Sequence, residues 1–541
     1  MKKNNFKIIS GTIGSRLGDN ELRSYLSNKR ETGNGGNLLD PSYHNFSIGF
    51  SENIRVSLVS PAITIPKGMA KRCIPPLGLS YIAAYLEKKS IDVQMFDCVV
   101  EGYNHEVYSE GDLMTYGMPV EKAAKTILKQ NPDIIGMSVL FSTDLDNLFK
   151  LSLAIKSISP KVIIVVGGLH PTIYPMDIFN ICKDNNKSCI DFIIRGEGEK
   201  RLYELISDLK MKRVNTNMDG LCGYINNNIF INNQFDTIAD LDSIPFPAYH
   251  LLPMDKYFSI NVPFSPVPKG KRVIQILTTR GCPIGCSFCS STNMYKKYRM
   301  RSVNNVIDEI LFFKEKYAID EVQFADDNIF FNKKRTINLF TEIIKAKVLW
   351  CTPNGVMINT INEKLIGLLK DSGLYQITLS IDSGSANTLK NLQHKPVRLN
   401  TIPGIVKRCN ELGIFSHGTL VVGMPNETMK DIKEGFDFVK DLELTSISVF
   451  IAAAIPGSEL YHEALDNNLI TKESANRINT TTSNIHLSDI SKNILEDIVM
   501  NFQRKFTDNV KKKNPDMWKK KYASLIEKSK SFDDDFGGRL T

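Results

Sequence analysis

The chain has 541 residues, a formal net charge of +8, and 42% hydrophobic and 23% charged residues, an ordinary globular composition. This length exceeds what one hydrophobic core usually organises, so at least two domains are predicted. No apolar stretch is long enough to span a bilayer, no signal-peptide core follows the first residues, and ten cysteines are too few for a secreted disulfide scaffold. We therefore expect a cytoplasmic protein with no membrane span, and we assign the basic excess to solvated Lys-rich helices rather than to a nucleic-acid partner.

Residues 1–52 are rich in Asn, Gly and Ser, and they are expected to form an N-terminal extension. From residue 53, short apolar strands alternate with amphipathic helices. Strands are predicted at 54–60, 93–97, 133–139, 162–166 and 191–194, and helices at 77–88, 120–130 and 144–157. This order predicts an α/β domain over 53–210, with a doubly wound, Rossmann-like parallel sheet covered by helices on both faces.

Such sheets bind ligands at the carboxyl ends of their strands, and here those ends carry glycine and acidic residues. The candidates are Asp97, Val99 and Gly102 after the second strand, Ser138 at the end of the third, Gly167 and Gly168 after the fourth, and Gly196, Glu197 and Gly198 after the fifth. Glycines let a flat or bulky ligand approach the backbone. The first strand is followed by no G-x-G-x-x-G motif, so a dinucleotide is disfavoured. The segment Cys73–Gly78 either covers the ligand or simply starts a helix.

Residues 211–270 form a predicted linker, because the prolines between 245 and 268 exclude a regular element. The strand and helix rhythm then resumes, with strands predicted at 273–277, 321–325, 347–351, 376–381, 416–422 and 446–452 and helices between them. Six such units predict a partial (β/α)6 barrel over 271–465, with its active site at the carboxyl ends of the strands. Residues 466–541 are expected to be mostly helical and to cover the open side of the barrel.

Three cysteines follow the first barrel strand, Cys282, Cys286 and Cys289, in the order C-x-x-x-C-x-x-C. Thiolates on so short a loop can hold three irons of a [4Fe–4S] cluster and leave the fourth iron open for chemistry. A zinc site is disfavoured because no second cysteine pair follows at the usual spacing. The loop is therefore predicted to carry an iron–sulfur cluster.

This spacing, with Phe288 before the third cysteine, resembles the hallmark of the radical S-adenosylmethionine (SAM) superfamily. The resemblance implies that SAM chelates the open iron. It also implies that an electron from an external donor of the flavodoxin or ferredoxin type cleaves SAM to a 5′-deoxyadenosyl radical. The SAM-binding candidates are Phe288 beside the cluster, Asp326 and Asp327 for the ammonium, Ser380 and Asp382 for the ribose, and Gly423 near the adenine.

A doubly wound domain ahead of such a barrel resembles the cobalamin-dependent class of radical SAM enzymes. Cobalamin-binding folds carry D-x-H-x-x-G after the second strand; Asp97 and Gly102 match it, whereas Val99 stands at the histidine position. A valine cannot coordinate cobalt, so no imidazole from this position would reach a bound cobalamin. The resemblance implies a [4Fe–4S] cluster, SAM and cobalamin as cofactors. It also implies methylation of an unactivated carbon, or a phosphinate phosphorus, of a small-molecule biosynthetic intermediate.

Within that class, the stretches Pro75–Leu86, Val100–Asn104 and Tyr116–Met118 resemble the hydroxyethylphosphonate methyltransferases of the fosfomycin pathway. Two other functions stay open. One is a cyclase or ring-rearranging enzyme like the anaerobic magnesium-protoporphyrin monomethyl ester cyclase, and the other is a non-catalytic cobalamin or Fe–S sensor. A methylthiotransferase is disfavoured, because the remaining cysteines form no second cluster set. Product mass separates methylation from cyclisation, and SAM turnover excludes a sensor.

Overall fold

The computed structural model of the chain describes residues 43–45, 53–109, 113–184, 189–225, 228–265, 267–471 and 487–521. The chain divides after Tyr43, and the elements described below belong almost entirely to the unit His44–Thr541. The predicted extension therefore lies almost wholly outside the described residues, as does the end of the chain after residue 521.

The first domain and the connector behind it contain twelve strands and eight α-helices among the described residues. They are β1 (Tyr43–Asn45), β2 (Arg55–Ser60), β3 (Ile63–Pro66), α1 (Leu77–Lys88), β4 (Asp92–Asp97), α2 (Cys98–Glu101), β5 (Glu106–Ser109), β6 (Leu113–Tyr116), α3 (Val120–Leu128), β7 (Ile134–Ser138), α4 (Leu145–Ile158), β8 (Ile163–Gly167), α5 (Leu169–Ile173), α6 (Pro175–Asp184), β9 (Phe192–Ile194), α7 (Gly198–Lys210), β10 (Arg213–Asn215), β11 (Leu221–Ile225), β12 (Asn228–Ile231) and α8 (Met254–Ile260).

Seven of these strands form one sheet in the order β12-β11-β9-β8-β7-β2-β4. The five strands from β9 to β4 are parallel, which confirms the predicted doubly wound domain. Their order reverses between β2 and β7, and ligands of such sheets bind at the carboxyl ends beside that point. The hairpin of β11 and β12 extends the sheet antiparallel to β9, within residues predicted as linker. Its Asn- and Gly-rich sequence gave no strand signal, because its pairing partner lies almost thirty residues away.

Helices cover both faces of this sheet, as the continuous apolar strands require. The apolar sides of α3, α4 and α6 pack on one face. Helices α1 and α7 pack on the other face, and the core beneath them continues through the connector into the second domain. A small antiparallel sheet of β3, β6 and β5 lies beside the domain and was not predicted.

The second domain contains the cysteine loop and a further parallel sheet. Its elements are β13 (Val273–Ile276), β14 (Thr279–Arg280), α9 (Ser291–Met294), β15 (Arg299–Met300), α10 (Val303–Tyr317), β16 (Glu321–Phe324), α11 (Lys333–Ala346), β17 (Leu349–Met357), α12 (Glu363–Asp371), β18 (Leu374–Asp382), α13 (Ile402–Glu411), β19 (Phe415–Val422), α14 (Met429–Lys440), β20 (Ser446–Ile451), α15 (Glu459–Asp466) and α16 (Lys492–Lys513). The order β13-β16-β17-β18-β19-β20, parallel throughout, confirms the partial barrel of six strands.

The C-terminal helix α16 covers the last strand of the barrel. The side chain of Gln503 accepts a hydrogen bond of 2.7 Å from the backbone N–H of Val449 in β20. The ring of Phe502 stacks on Phe436 of α14, with centroids 3.9 Å apart. The described part of the C-terminal segment therefore closes the open edge of the barrel, as predicted.

The connector between the domains is buried and contacts both sheets. The hydroxyl of Tyr249 donates to the carbonyl of Gln275 in β13 at 2.9 Å. That of Tyr257 in α8 donates to Asp97 Oδ2 at the end of β4 at 2.5 Å. The connector therefore holds the two domains together. None of the described helices is long and apolar enough to cross a membrane.

Candidate active site

The three cysteines lie on a loop that we call the cluster loop, residues 279–300. Its ends, β14 and β15, pair antiparallel, with Arg280 directly opposite Arg299. Gly281 has φ of +89°, and a Cβ there would lie 2.8 Å from the carbonyl oxygen of Lys297, so only glycine suits this turn. The strand β13 and this pairing therefore present the cysteines at the carboxyl end of the barrel.

The thiols of the cluster loop are free and reach the surface: Cys282 and Cys286 are partly exposed and Cys289 is exposed. Burial raises the pKa of Cys286 to about 12, although the nearby Lys395 ammonium acts in the opposite direction. Among the described residues, no three His, Cys, Asp or Glu groups converge tightly enough to hold a single metal ion. A [4Fe–4S] cluster takes one cysteine per iron, so its ligands stand apart, and this donor set fits a cluster better than a lone ion.

Side chains and backbone around the cysteines fix the cluster loop to the barrel. Ser287 Oγ donates to the carbonyl of Leu392 at 2.6 Å, and the N–H of Leu460 donates to the carbonyl of Ser287 at 2.8 Å. Phe288 packs against the apolar cluster at the ends of β19 and β20. The amide of Asn328 donates to the sulfur of Cys282 at 3.7 Å. Asn328 therefore contacts a predicted cluster ligand directly.

The two carboxylates after β16 have different surroundings. Asp326 is buried and accepts hydrogen bonds from the backbone and hydroxyl of Thr278 and the hydroxyl of Thr279, the hydroxyl bonds at 2.8 and 2.6 Å. Asp327 accepts one from Ser291 Oγ at 2.6 Å and is partly exposed. Burial raises the pKa of both, and these hydrogen bonds act against it. Asp326 thus supports the start of the cluster loop, and Asp327 keeps acceptor capacity for a cation.

The carboxylate after β18 is part of a buried ion pair. Asp382 has φ of +61°, and a register shift lies between Ser380 and Asp382. Such irregularities re-aim side chains near active sites. The carboxylate pairs with Lys395 and accepts from Thr419 Oγ1 at 3.3 Å. Burial lowers the pKa of Lys395, but the Asp382 charge more than offsets this, so the pKa is raised. Ser380 lies beside the shift, with its hydroxyl against Gly355.

The turn after β19 is held by a buried glutamate. Glu427 accepts from the backbone N–H groups of Gly423, at 2.5 Å, and Met424, at 3.2 Å. Burial raises the pKa of Glu427 to about 7, although these hydrogen bonds lower it. The predicted adenine contact at Gly423 therefore does not use its N–H, and Leu495 of α16 packs on its Cα.

The predicted cobalamin-binding residues line the carboxyl edge of the first sheet. Asp97 caps α2 by accepting from the N–H of Val99 at 2.9 Å and also accepts from Tyr257. Burial raises its pKa to about 6, against the effect of both hydrogen bonds. Val99 is buried in the core, and Gly102 packs closely against the backbone of Met118. The D-x-V-x-x-G segment therefore forms a tight, internally bonded turn.

The loops after β7 and β8 meet at the point where the strand order reverses. Gly168 has φ of +111°, and a Cβ there would collide with the carbonyl oxygen of Val139, so the two loops touch through glycine. Ser138 and Gly167 end the two paired strands. Next to them Leu140 is 58% and Phe141 64% exposed. Two exposed apolar side chains beside a glycine contact suit a large, partly apolar ligand such as a corrin. No sequence motif marks Leu140 or Phe141.

The loop after β9 combines two closely packed glycines with a carboxylate that bonds to protein groups. Gly196 and Gly198 pack against Phe235 and Ile82, whereas the carboxylate of Glu197 turns towards the cluster loop and is fully engaged there. Glu197 therefore bonds to protein side chains through its carboxylate. The predicted cobalamin contact of this loop can use its backbone only.

Several contacting residues could not be identified from the sequence. Lys395 and Asn328 belong to no recognised motif. The structure identifies them by their contacts, that of Lys395 with Asp382 and that of Asn328 with Cys282. The position of Arg280, two residues before the first cysteine, could have marked it as a candidate. Its partners lie over eighty residues earlier.

Family models match both domains. Residues 64–206 match the B12 binding domain, and residues 276–439 match the Radical SAM superfamily. The cytidylyl-2-hydroxyethylphosphonate methyltransferase of Streptomyces wedmorensis is 32% identical over 454 residues, covering 77% of this chain and 83% of that protein. An uncharacterized methyltransferase of Pyrococcus horikoshii is 32% identical over 73% of this chain and 80% of its own length. An anaerobic magnesium-protoporphyrin IX monomethyl ester cyclase of Rubrivivax gelatinosus is 26% identical, over 72% and 66%.

Solved structures show the same fold. The radical SAM methyltransferase TsrM from Kitasatospora setae, with cobalamin and a [4Fe–4S] cluster bound, has a TM-score of 0.61 and 16% identity over 77% of this chain and 78% of that one. The cobalamin-dependent SAM radical enzyme OxsB, with aqua-cobalamin and SAM bound, has a TM-score of 0.65 and 16% identity over 88% and 71%.

Proposed function

The chain belongs to the cobalamin-dependent radical SAM methyltransferases, and we propose that it methylates an unactivated carbon of a small, nucleotide-linked phosphonate or a related metabolite. Its cofactors are a [4Fe–4S] cluster, SAM and cobalamin. The substrate class follows from the similarity to the hydroxyethylphosphonate methyltransferase, which spans most of both chains. An external donor of the flavodoxin or ferredoxin type would supply the electron.

One observation carries the methyl-transfer proposal: the loop after β8 contacts the cluster loop. Thr172 Oγ1 in α5 donates to the sulfur of Met294 in α9 at 3.7 Å. Just beyond α5, the hydroxyl of Tyr174 accepts from the N–H of Gly457 at 3.0 Å. The glycine edge of the first domain and the cysteines therefore adjoin, so a substrate between them can meet both cofactors. Methyl transfer requires a methyl donor beside the radical site, and this contact is consistent with that requirement.

The residues of this chain would bind the cofactors and the substrate and orient them. When bound, the cluster and SAM supply one-electron cleavage and hydrogen abstraction, and cobalamin supplies the methyl group. Cys282, Cys286 and Cys289 would hold the cluster. Asp327 would accept from the ammonium of SAM, and Asp382, neutralised by Lys395, would be available to a ribose hydroxyl. This positioning would be the contribution of the protein.

The experiment is anaerobic reconstitution with cluster and cobalamin, followed by incubation with deuterated-methyl SAM and cytidylyl-2-hydroxyethylphosphonate. We expect 5′-deoxyadenosine together with a product that carries the labelled methyl group. Product formation with loss of hydrogen and no label would indicate a cyclase instead. If this substrate stays unchanged and another small molecule in cell extract is labelled, the substrate belongs to another class. A reduced protein with no SAM turnover would exclude catalysis.

A further inference from the structure

A buried group of four charged side chains joins the cluster loop to the first domain. Arg280 Nη1 donates to Glu197 Oε1 at 2.6 Å, and Arg280 Nη2 donates to Glu199 Oε1 at 2.6 Å. Arg299 Nη1 donates to Glu197 Oε2 at 2.8 Å. No more than 9% of any of the four side chains is exposed. We call this group the interdomain ion cluster.

The two arginines close the base of the cluster loop. They lie directly opposite each other in the pairing of β14 with β15. Like charges in such a pair repel, but Glu197 contacts both guanidinium groups and offsets the repulsion. Burial raises the pKa of Glu197, but the two arginines outweigh it, and the pKa is lowered. The loop geometry next to Cys282 therefore depends on a carboxylate from another domain.

Glu197 lies on the edge where cobalamin is expected. It stands between Gly196 and Gly198 after β9, in the loop predicted to approach the ligand with its backbone. Its own carbonyl accepts from Arg201 Nη1 at 2.8 Å, and its Oε2 accepts from the N–H of Ile238 at 2.6 Å. The segment is thus anchored within the first domain and reaches the cluster loop only through side chains.

Burying four charged side chains costs free energy, because they lose their hydration. Apolar contacts alone could join the two domains without that cost. Ion pairs with directional hydrogen bonds add a defined geometry, because a guanidinium fork donates to carboxylates in few orientations. Methyl transfer requires that geometry, since a misplacement of about 1 Å can slow a reaction on the order of a hundredfold.

We propose that Glu197 and Glu199 are positioning residues that set the separation between the cluster and cobalamin by holding Arg280 and Arg299. This assignment rests on the proposed function, because both cofactors must bind to one chain. The carboxylates touch no substrate; they act through the arginines at the base of the cluster loop. By linkage, cobalamin bound on this edge would also steady the cluster loop, because it would contact the segment that holds the two arginines.

The test is the distance between the reduced cluster and Co(II) cobalamin, measured by pulsed electron paramagnetic resonance in dithionite-reduced protein. The variants are Glu199→Gln and Glu197→Gln. The matched control is Glu321→Gln, because Glu321 at the start of β16 is equally buried and its carboxylate accepts from Gly270 and Tyr375, which lie outside the cluster loop. We expect a distance distribution roughly twofold broader in both variants, because the loop then samples more positions. The control should match the wild type.

Distributions unchanged in both variants that carry both cofactors would overturn the assignment, as would equal broadening in Glu321→Gln. A second measurement needs no variant: hydrogen–deuterium exchange of residues 279–300 in wild-type protein, with cluster, with and without cobalamin. Slower exchange with cobalamin supports the assignment, and equal exchange contradicts it even if the variants fail to load cofactors. A wild type that binds neither cofactor would instead refute the proposed function.

Discussion

At the scale of single residues, the neighbouring carboxylates Asp326 and Asp327 show how partners decide a role. Asp326 is committed to Thr278 and Thr279, whereas Asp327 has one donor, Ser291. We expect Asp327→Asn to weaken SAM binding by about 1.5–3 kcal/mol, or roughly 10- to 100-fold, because a hydrogen bond to a charged group is lost. Equilibrium dialysis with labelled SAM measures this.

The matched variant is Asp326→Asn, which should leave SAM affinity close to the wild type in protein that retains the cluster. The substitution should instead lower the free energy of unfolding, because two threonine hydroxyls lose a charged acceptor. A weaker affinity in Asp326→Asn than in Asp327→Asn would place the ammonium on the other carboxylate.

Asn328 offers a second prediction at this scale. Its amide donates to the sulfur of Cys282 at 3.7 Å, and hydrogen bonds to cluster sulfurs stabilise the reduced, more negative state. We expect Asn328→Ala to lower the midpoint potential of the cluster while iron content stays the same. Redox titration followed by electron paramagnetic resonance measures the potential. Asn338→Ala, at an exposed position of α11, is the control, and an equal potential in all three proteins would argue against this contact.

At the scale of elements, the short helix α2 replaces the segment that carries a cobalt-binding histidine in related folds. Val99 is buried, and a branched aliphatic side chain offers no lone pair, so cobalamin should bind without an imidazole on its lower face. Electron paramagnetic resonance of the Co(II) form should show no splitting from an axial nitrogen. Another histidine in the same loop is His105, which is exposed just before β5. Splitting that disappears in His105→Ala would reveal that histidine as a ligand.

Helix α8 presents Tyr257 to Asp97, and this contact predicts a pH dependence. The folded pKa of Asp97, about 6, exceeds its usual value of 3.8, mainly because of burial. The folded state therefore binds more protons between about pH 4 and 6, and stability falls as pH rises through that window. Tyr257→Phe removes a hydrogen bond that lowers this pKa. The pKa of Asp97 should therefore rise, and stability should keep falling to a higher pH than in the wild type.

The expected loss in Tyr257→Phe is about 1.5–3 kcal/mol at pH 8, where Asp97 is ionised, and about 0.5–1.5 kcal/mol at pH 5. Urea unfolding at both pH values measures the difference. Tyr249→Phe is the control, because its acceptor is the carbonyl of Gln275, whose charge does not change with pH. A loss independent of pH in Tyr257→Phe would show that Asp97 does not titrate in this range.

At the scale of the whole molecule, the cysteines lie at an end of the barrel and outside its core. We expect Ala at Cys282, Cys286 or Cys289 to abolish cluster absorbance and SAM cleavage, while stability without the cluster changes by no more than about 0.5 kcal/mol, as for surface substitutions. Absorbance after reconstitution and urea unfolding of the apoprotein measure the two quantities. Cys409→Ala, a buried cysteine on α13, is the control that keeps the cluster. Substantial SAM cleavage in any single cluster variant would contradict the assignment.

The sequence by itself determined the two domains, the parallel order of strands and helices, and the cysteine loop. These features depend on local patterns: runs of apolar residues form buried parallel strands, and C-x-x-x-C-x-x-C holds three ligands within one loop. For the same reason, the carboxyl ends of strands identified Asp327 and Asp382 as candidates. The strands of the β11–β12 hairpin and the small sheet escaped detection, because their stability comes from distant partners.

The tertiary structure alone decided what each candidate contacts. Glu197 and Asp326 looked alike as acidic residues at strand ends, but one joins two domains and the other supports the cluster loop. A buried carboxylate must find donors or cations, and which ones it finds depends on the segments packed around it. Arg280 is 83 positions from Glu197 in the chain. No local pattern encodes such a pairing, because the free energy that favours it arises only when the two domains bury both charges together.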